Sequence, residues 1–298
     1  MGKTKAVVIT VNYKSADSVL AFLASLERTK AFSEVEVIIV NNSPEEEHLS
    51  GMRPAIAKYT NAELIESPTN RGYFGAARFA LDHYLGLGNA LPDWVIVCNH
   101  DIQIEDQEFF SKLLCQDPRA AGVIAPRIQV LPGRTDQNPF MRRRPGALRW
   151  ANLCFISSNY WAAAIWDWLW RRKSEFKSWV AARRGQSVPD VNAKSEAIYA
   201  AHGAFFIFSR RYFEAGGFLD GNLFLYGEEI SVAEICRSLG LPVVYEPSLC
   251  VLHKEHQSTG KALNRFTYEC QKRAMHYVTS RYLSRSPRAV GSCQPDLQ

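Results

Sequence analysis

The sequence predicts an α/β fold built on a doubly wound, mostly parallel sheet with helices on both faces. Short apolar runs of strand length alternate with stretches of helical periodicity over the first 130 residues, which is the pattern of βαβ units. The same alternation returns after residue 196. The chain has 298 residues and is 47% hydrophobic, so it has enough apolar material to bury a large core.

Five apolar runs in the first part of the chain predict strands, and two amphipathic stretches predict helices. The predicted strands are Ala6–Val11, Val35–Val40, Ala62–Glu66, Trp94–Cys98 and Ala121–Pro126. The first helix is predicted over Ser15–Leu26, where apolar residues recur at helical spacing, and the second over Ala76–Leu85.

Polar residues follow four of these strands. They are Asn12-Tyr13, Asn41-Asn42-Ser43, Asn70-Arg71-Gly72 and Asn99-His100-Asp101. Sheets of this kind bind ligands in the crevice outside the carboxyl ends of their strands. Loops with a purely structural role do not require hydrogen-bonding groups at every strand end. The sequence therefore predicts a polar ligand site along this edge of the sheet.

The pattern is interrupted between Leu131 and Glu196, where a Pro- and Arg-rich stretch precedes a Trp-rich one. The alternation then resumes with a predicted strand, two helices, a further strand and a basic, partly amphipathic helix. These elements are Ala201–Phe208, a helix near Arg210–Ala215, Ile230–Leu239, Val243–Glu246 and a helix from about Lys261 to Leu283.

Composition excludes several classes of protein. The formal net charge of +5 is too small to indicate a nucleic-acid partner, and none is expected. No glycine-rich turn follows the first strand, which argues against P-loop and dinucleotide-binding sites. Seven Cys residues without a C-x-x-C pair, together with the lack of a recognisable signal peptide or clean transmembrane stretch, predict a cytoplasmic protein.

Carboxylates and histidines near the strand ends suggest metal and acid–base chemistry. Asp101 either caps the next helix or holds Mg²⁺ or Mn²⁺ against a diphosphate, since these cations prefer oxygen ligands. Glu228 and Glu229 begin a predicted helix, where they either complement the helix dipole or supply a general base. His253 and His256 follow the last strand, and this spacing alone is weak evidence for a metal site.

Taken together, these segments resemble the family 2 glycosyltransferases. The string GAFFIFSRRYFEAGGFLDGNLFLYGEEISVAEICRSLGLPVVYEPSLCVLH is similar to the C-terminal half of that family's catalytic domain. The strings VITVNYKSADSVLAFLASL, VEVIIVNNS, TNRGYFGAARFAL and VIVCNHDI fall in the family's order and spacing. The resemblance covers Lys5 to about Gly260, apart from Leu131–Glu196. It is closest to the rhamnosyltransferase-like members that build bacterial surface polysaccharides.

The resemblance implies a GT-A fold that binds a nucleoside-diphosphate sugar at the strand ends. The donor-binding residues that it implies are Val11, Asn12, Tyr13, Asn42, Asn70, Gly72, Asn99 and His100. The family's D-x-D type of metal motif matches Asn99-His100-Asp101. Asp101 is therefore the expected main ligand of Mg²⁺ or Mn²⁺, with His253 as the second ligand.

The family's Glu-Asp pair matches Glu228 and Glu229. Glu229 is then the expected catalytic base, and Glu228 is expected to bind the acceptor or orient the base. Three residues depart from the family pattern: Asn41 replaces a common acid, Arg78 replaces a usual Asn, and Glu229 is one methylene longer than Asp. The chemistry survives, because either carboxylate can accept a proton.

The implied activity is metal-dependent, inverting transfer of a sugar to a saccharide or lipid-linked acceptor in cell-surface polysaccharide synthesis. Residues 1–130 would form the donor-binding half of the domain, 131–196 a basic Trp-rich insert, 197–260 the acceptor and catalytic half, and 261–298 a basic C-terminal helix and tail. A sugar nucleotidyltransferase and a non-catalytic nucleotide-sugar-binding protein are the alternatives. The sequence leaves open whether the chain forms a homo-oligomer.

The insert carries a signal that the family resemblance does not explain. Between Asn152 and Arg184 it carries Trp161, Trp166, Trp168, Trp170 and Trp179, and basic residues crowd the end of this stretch. Trp161, Ile165, Trp168 and Leu169 fall on one helical face. Such a face either packs on protein or lies at an anionic membrane surface, where Trp rings sit at the level of the headgroups.

Overall fold

One sheet of ten strands organises the computed structural model, which describes residues 4–43, 51–130, 135–169, 172, 193–254 and 264–284. The strands are β1 (Ala6–Asn12), β2 (Val35–Asn41), β3 (Ala62–Glu66), β4 (Trp94–Asn99), β5 (Ile102–Gln103), β6 (Val123–Val130), β7 (Thr135–Asp136), β8 (Glu196–Ile198), β9 (Phe205–Ser209) and β10 (Val243–His253). Their order is β3-β2-β1-β4-β9-β6-β10-β5, with β7 paired to β6 and β8 paired to β10.

The helices cover both faces of this sheet. They are α1 (Ala16–Glu27), α2 (Met52–Ile56), α3 (Gly72–Gly86), α4 (Phe109–Leu114), α5 (Ala147–Ser158), α6 (Arg210–Glu214), α7 (Glu228–Ser238) and α8 (Arg265–Val278). Residues 160–169 are also helical. None of the helices in the described part of the chain is long and apolar enough to cross a membrane.

The first four long strands are parallel, as the sequence predicts. β1 pairs in parallel with both β2 and β4, and β2 pairs in parallel with β3. β9 then runs antiparallel between β4 and β6, which joins the strands β1 to β4 to the parallel pair β6 and β10. The long strands are therefore mostly parallel, with β9 antiparallel among them, and the short strands β5, β7 and β8 also pair antiparallel with their neighbours.

The alternation of side chains along β1 explains why both faces are covered. Val7 and Ile9 point into one apolar layer together with Phe74 of α3. Ala6 and Val8 point into the opposite layer, which α1 and α2 complete. Because every residue of β1 is buried, the strand reads in the sequence as a continuous apolar run.

Several predicted elements have different bounds in the structure. The strand predicted over Ala201–Phe208 is β9 and begins only at Phe205, because residues 201–204 are irregular and end in a turn. The strand predicted to end at Glu246 continues as β10 to His253, past an irregular register between Glu246 and Cys250. The helix predicted from Ala76 begins at Gly72. Of the predicted C-terminal helix, residues 261–263 lie outside the described residues, and α8 begins at Arg265.

Candidate active site

The carboxyl ends of β1, β2 and β4 meet at one edge of the sheet. Asn12 lies opposite Asn41, and Val11 lies opposite Asn99. The side-chain amide of Asn12 is buried, with Nδ2 donating to Oδ1 of Asn41 at 3.2 Å and Oδ1 accepting from the backbone N–H of Ser15 at 3.1 Å. Asn12 thus holds the strand ends together, while the next residue, Tyr13, is 41% exposed beside it.

Asn42 ties the end of β2 to the turn before α3. Its Nδ2 donates to Oδ1 of Asn70 at 2.9 Å and to the carbonyl of Gly72 at 3.1 Å. Its Oδ1 accepts from the backbone N–H of Arg71 at 2.8 Å. Asn42 therefore forms one connected edge with Asn70 and Gly72, which lie 28 and 30 positions later in the sequence.

The turn at Gly72 touches the loop before α7. Gly72 has φ of +70°, and a Cβ there would lie 2.1 Å from the carbonyl oxygen of Phe224. The same oxygen accepts from the backbone N–H of Tyr73 at 2.9 Å. Only glycine allows this approach, so the strand-end edge and the α7 loop are in direct backbone contact.

Tyr73 extends the connection from the strand-end edge to the segment before β9. Its hydroxyl donates to the carbonyl oxygen of Gly203 at 3.1 Å. Burial raises the pKa of Tyr73 well above its ordinary value, and nearby acidic side chains, Cys98 foremost, raise it further when they are ionised. The hydroxyl therefore stays protonated and acts as a donor at neutral pH.

Glu229 is the second residue of α7. The helix begins directly after two residues with left-handed backbone, Tyr226 at φ 69° and Gly227 at φ 87°. Oε1 of Glu229 accepts from the backbone N–H of Gly203 at 3.2 Å. The side chain is partly exposed. Burial raises the pKa of Glu229, while the backbone N–H of Gly203 opposes that rise by stabilising the carboxylate.

Glu228 has a different environment. It is 3% exposed, and its buried Oε1 has no hydrogen-bond partner among the described residues. Burial, and then the charge of Glu229, raise the pKa of Glu228 to about 8. Glu228 is therefore mainly protonated at neutral pH, and Glu229 is the carboxylate that a substrate can reach.

Asp101 and His253 come together at the end of β4. Nε2 of His253, the last residue of β10, lies 3.2 Å from Oδ1 of Asp101. These atoms are not aligned for a hydrogen bond, and the buried Oδ1 has no hydrogen-bond partner among the described residues. Nδ1 of His253 contacts Oε1 of Gln137 at 2.8 Å, which orients the ring.

This pair fits a divalent cation in its donor chemistry. A carboxylate oxygen without a hydrogen-bond partner and an oriented imidazole nitrogen are both suitable metal ligands. Within the described ranges, no three or more His, Cys, Asp or Glu residues are grouped so that they could hold a metal ion alone. His100, the residue before Asp101, is buried, and burial lowers its pKa, so it is neutral.

Three residues of this site are missing from the sequence-based candidates: Tyr73, Gly203 and His202. The His202 ring lies 6.2 Å from that of His253, and burial lowers the pKa of His202 to about 3. Its Nδ1 accepts from the backbone N–H of Ala204 at 3.2 Å. Two features of the sequence could have indicated these residues. They are the His-Gly pair just before an apolar strand and the aromatic residue directly after Gly72.

The C-terminal segment supports the α7 loop from behind. Asp220 is 1% exposed and accepts hydrogen bonds from the hydroxyls of Tyr277, at 2.9 Å, and Tyr282. A Cβ on Gly227 would contact Val278 and Ala274, at 3.2 and 3.4 Å. The segment from α8 to Leu283 therefore fixes the loop that precedes Glu228 and Glu229.

Comparison with known proteins decides the class. Residues 7–217 match the family model for glycosyl transferase family 2. This chain belongs to that family. The matched region includes the strand-end edge and β9 but ends before α7, so Glu228 and Glu229 lie beyond it.

Curated relatives agree with the family. This glycosyltransferase is 25% identical over 262 residues to the N-acetylglucosaminyl-diphospho-decaprenol L-rhamnosyltransferase of Mycobacterium tuberculosis strain H37Rv. The match covers 85% of this chain and 77% of the relative. The enzyme of the same name from strain CDC 1551 matches equally.

Solved glycosyltransferase structures confirm the GT-A fold that the resemblance implies. GalNAc-T7 with UDP, GalNAc and Mn²⁺ matches with a TM-score of 0.61 at 12% identity, covering 94% of this chain and 48% of that chain. The chain thus spans about half the length of GalNAc-T7. The mannosyltransferase PcManGT of Pyrobaculum calidifontis, with GDP-Man and Mn²⁺, matches with a TM-score of 0.51 at 15% identity, covering 93% and 69%. Residues 1–349 of S. aureus TarS, with UDP-GlcNAc, match with a TM-score of 0.52 at 13% identity, covering 89% and 64%.

Proposed function

We propose that this glycosyltransferase transfers a sugar, with inversion, from a nucleoside-diphosphate sugar to a hydroxyl of a saccharide or lipid-linked acceptor. The observation that carries the proposal is the environment of Glu229, which is partly exposed and held by the Gly203 N–H beside the strand-end edge. The other acidic residues near it, Glu228 and Asp101, are buried. One accessible carboxylate suits direct displacement, which needs a single proton acceptor.

The donor lies along the strand-end edge in this proposal. Asn42 and Asn70 hold the backbone of that edge, and Val11, Tyr13 and Asn99 border it. Residues 1–130 supply this half of the domain, and residues 197–260 supply the catalytic half. Residues 131–196 form the insert, and residues 261–298 form the C-terminal segment.

Asp101 and His253 would hold a divalent cation, Mg²⁺ or Mn²⁺, next to the strand-end edge. When bound, this cation supplies Lewis-acid stabilisation of the charge on the leaving diphosphate. The unpartnered Oδ1 of Asp101 supports the assignment. GalNAc-T7 and PcManGT, which share the fold, were both crystallised with Mn²⁺.

Glu229 accepts the proton of the acceptor hydroxyl. The hydroxyl oxygen forms a bond to the anomeric carbon as the bond from that carbon to the diphosphate oxygen breaks, and the electron pair leaves with the diphosphate. Attack from the side opposite the leaving group inverts the configuration. Tyr73 and Gly203 keep the carboxylate in place beside the donor edge.

A lipid-linked saccharide is the acceptor class that the relatives support best, because the M. tuberculosis rhamnosyltransferases are named for a diphospho-decaprenol substrate. Reaction at the cytoplasmic face of a membrane, in the synthesis of a surface polysaccharide, would follow from such an acceptor.

The test compares Glu229→Gln with Glu228→Gln and with the exposed control Glu214→Gln. Loss of the base should lower kcat of Glu229→Gln by roughly 10²–10⁴-fold while the Kd of the donor stays the same. Release of nucleoside diphosphate measures kcat, and calorimetric titration with the donor measures Kd. If only Glu228→Gln loses activity, the base is assigned wrongly. If both variants keep full activity, the proposed mechanism is wrong.

A further inference from the structure

The helical residues 160–169 turn their aromatic and aliphatic side chains away from the protein. Trp161 is 73% exposed, Ile165 60% and Trp168 56%, and Leu169 and Trp166 are also exposed. These five residues, together with the exposed Phe155 of α5, are called the aromatic face below. Trp170 and Trp179, which the sequence groups with them, lie outside the described residues.

Contacts on the inner side fix this orientation. The ring of Tyr160 packs edge-on against Tyr268 of α8 with centroids 5.2 Å apart. Trp150 of α5 is buried, and its Nε1 donates to Oγ1 of Thr279 at 2.9 Å. Oδ1 of Asn159 caps the second helical stretch by accepting from the N–H of Trp161 at 2.9 Å. The helices are therefore docked by one side and present the aromatic face on the other.

Positive charge borders the aromatic face. The guanidinium of Arg172 lies 5.6 Å from the centre of the Trp168 ring. On α8, Nζ of Lys272 lies 5.9 Å from the ring centre of Tyr268, which itself contacts Tyr160. Arg273 is exposed next to Lys272. Trp rings typically lie in the headgroup region of a bilayer, and neighbouring cations attract anionic lipids.

The aromatic face also lies close to the active site. Trp150 of α5 and Tyr226 pack in one apolar cluster with Ile230 of α7, so α5 lies next to the start of α7, where Glu228 and Glu229 are. The rings of Phe224 and Phe266 are 6.4 Å apart, and Phe224 is the residue in backbone contact with the Gly72 turn. A surface bound at the aromatic face would therefore lie next to the α7 loop.

We propose that the aromatic face and its flanking cations dock this enzyme peripherally on an anionic lipid bilayer. The binding partner of this face is a bilayer rather than a second protein. The exposed Trp rings match the boundary between acyl chains and headgroups, and the bordering cations match the anionic headgroups. The purpose of the contact, presentation of a lipid-linked acceptor to Glu229, rests on the proposed function. The binding itself does not, and it is tested without sugar transfer.

The experiment is co-sedimentation of the full chain with phosphatidylglycerol–phosphatidylcholine vesicles and with pure phosphatidylcholine vesicles. Binding should require phosphatidylglycerol and should weaken as salt is raised. Trp161→Ser combined with Trp168→Ser should abolish it with an unchanged unfolding temperature. Leu87→Ser, which removes an equally exposed apolar residue after the far end of α3, should bind as the wild type does.

A charge variant gives a second, independent test. Lys272→Gln combined with Arg273→Gln should weaken binding roughly fivefold for each cation removed, whereas the exposed control Lys58→Gln should not. Absence of binding to anionic vesicles would overturn the proposal. The proposal would also be overturned if the protein formed a dimer in solution and did not bind vesicles, and if Trp161→Ser combined with Trp168→Ser converted that dimer to a monomer. The aromatic face would then bind a second copy of the chain.

Discussion

The backbone N–H of Gly203 donates a hydrogen bond to Oε1 of Glu229, 3.2 Å away, and a Cβ on residue 203 would stand 2.6 Å from that oxygen. The absence of a side chain at residue 203 therefore determines where the carboxylate lies. The carbonyl of the same residue accepts from the hydroxyl of Tyr73, so Gly203 links the strand-end edge to the proposed base.

Gly203→Ala should lower kcat while leaving the fold intact. The added methyl group forces Oε1 of Glu229 to move, and a displacement of about 1 Å from the productive position costs roughly 10²-fold in rate. The displaced atom is the end of a flexible side chain, so the free energy of unfolding should change little. Steady-state kinetics and urea unfolding check both parts. Gly86→Ala, where a Cβ meets nothing within 4 Å, is the control and should keep full activity.

Glu228→Gln should change how stability depends on pH. The pKa of Glu228 is about 8 in the folded protein, above its ordinary value of 4.5, so the folded state binds more protons than the unfolded state between these values. The stability that this carboxyl contributes is complete below pH 4.5 and is lost as the pH rises through 8. Relative to the wild type, Glu228→Gln should therefore gain stability from pH 5 to pH 8 in urea unfolding experiments.

The control for that measurement is Glu246→Gln. Hydrogen bonds from Ser195 and Ser248 oppose the effect of partial burial and lower the pKa of Glu246, so its contribution changes only at more acidic pH. Its difference from the wild type should stay constant from pH 5 to pH 8. Equal slopes for the wild type and Glu228→Gln would show that the buried carboxyl does not hold its proton.

Asp101→Asn should remove the effect of a divalent cation on donor binding. The substitution keeps the size of the side chain but removes the charge of the proposed ligand. Calorimetric titration with a nucleoside diphosphate should show Mn²⁺-dependent affinity in the wild type and a loss of at least about tenfold in the variant. Asp106→Asn is the control, because that carboxylate pairs with Lys112 at 2.6 Å. An unchanged Mn²⁺ effect in Asp101→Asn would contradict the ligand assignment.

Tyr282→Phe should destabilise the protein by about 1–3 kcal/mol, since it removes one hydrogen bond from the buried carboxylate of Asp220. Urea unfolding measures the loss. The matched control is Tyr59→Phe, which breaks an exposed hydrogen bond to Glu27 and should cost at most about 1 kcal/mol. Equal effects of the two substitutions would mean that Asp220 does not anchor the α7 loop.

The elements that the sequence predicts well are those with local signals. β1 is predicted over Ala6–Val11 and observed over Ala6–Asn12, because complete burial makes its composition uniform. The two-residue strands β5 and β7 carry no such run and are absent from the prediction. The antiparallel placement of β9 depends on pairing with β4 and β6, which are distant in the sequence.

In the site, too, the residues with local sequence signals are predictable and those placed by long-range packing are not. The residues after β1, β2 and β4 are predictable, since parallel strands bring their carboxyl ends to one edge. The Tyr73–Gly203 hydrogen bond joins residues 130 positions apart, and no local pattern indicates it. The different exposure of Glu228 and Glu229 depends on how α7 packs, and no local pattern in the sequence indicates which of the two side chains is buried.

The position of β9 between β4 and β6 also sets the order in which the chain can fold during synthesis. The strands β1 to β4 are complete once residue 99 has left the ribosome, but β6 then has only the short β7 to pair with until β9 is made. At about 5–20 residues per second, synthesis of residues 131–204 takes roughly 4–15 s, during which the edges of β4 and β6 stay open. Open apolar edges pair with other chains. A chaperone that shields nascent strands should therefore raise the yield of folded enzyme.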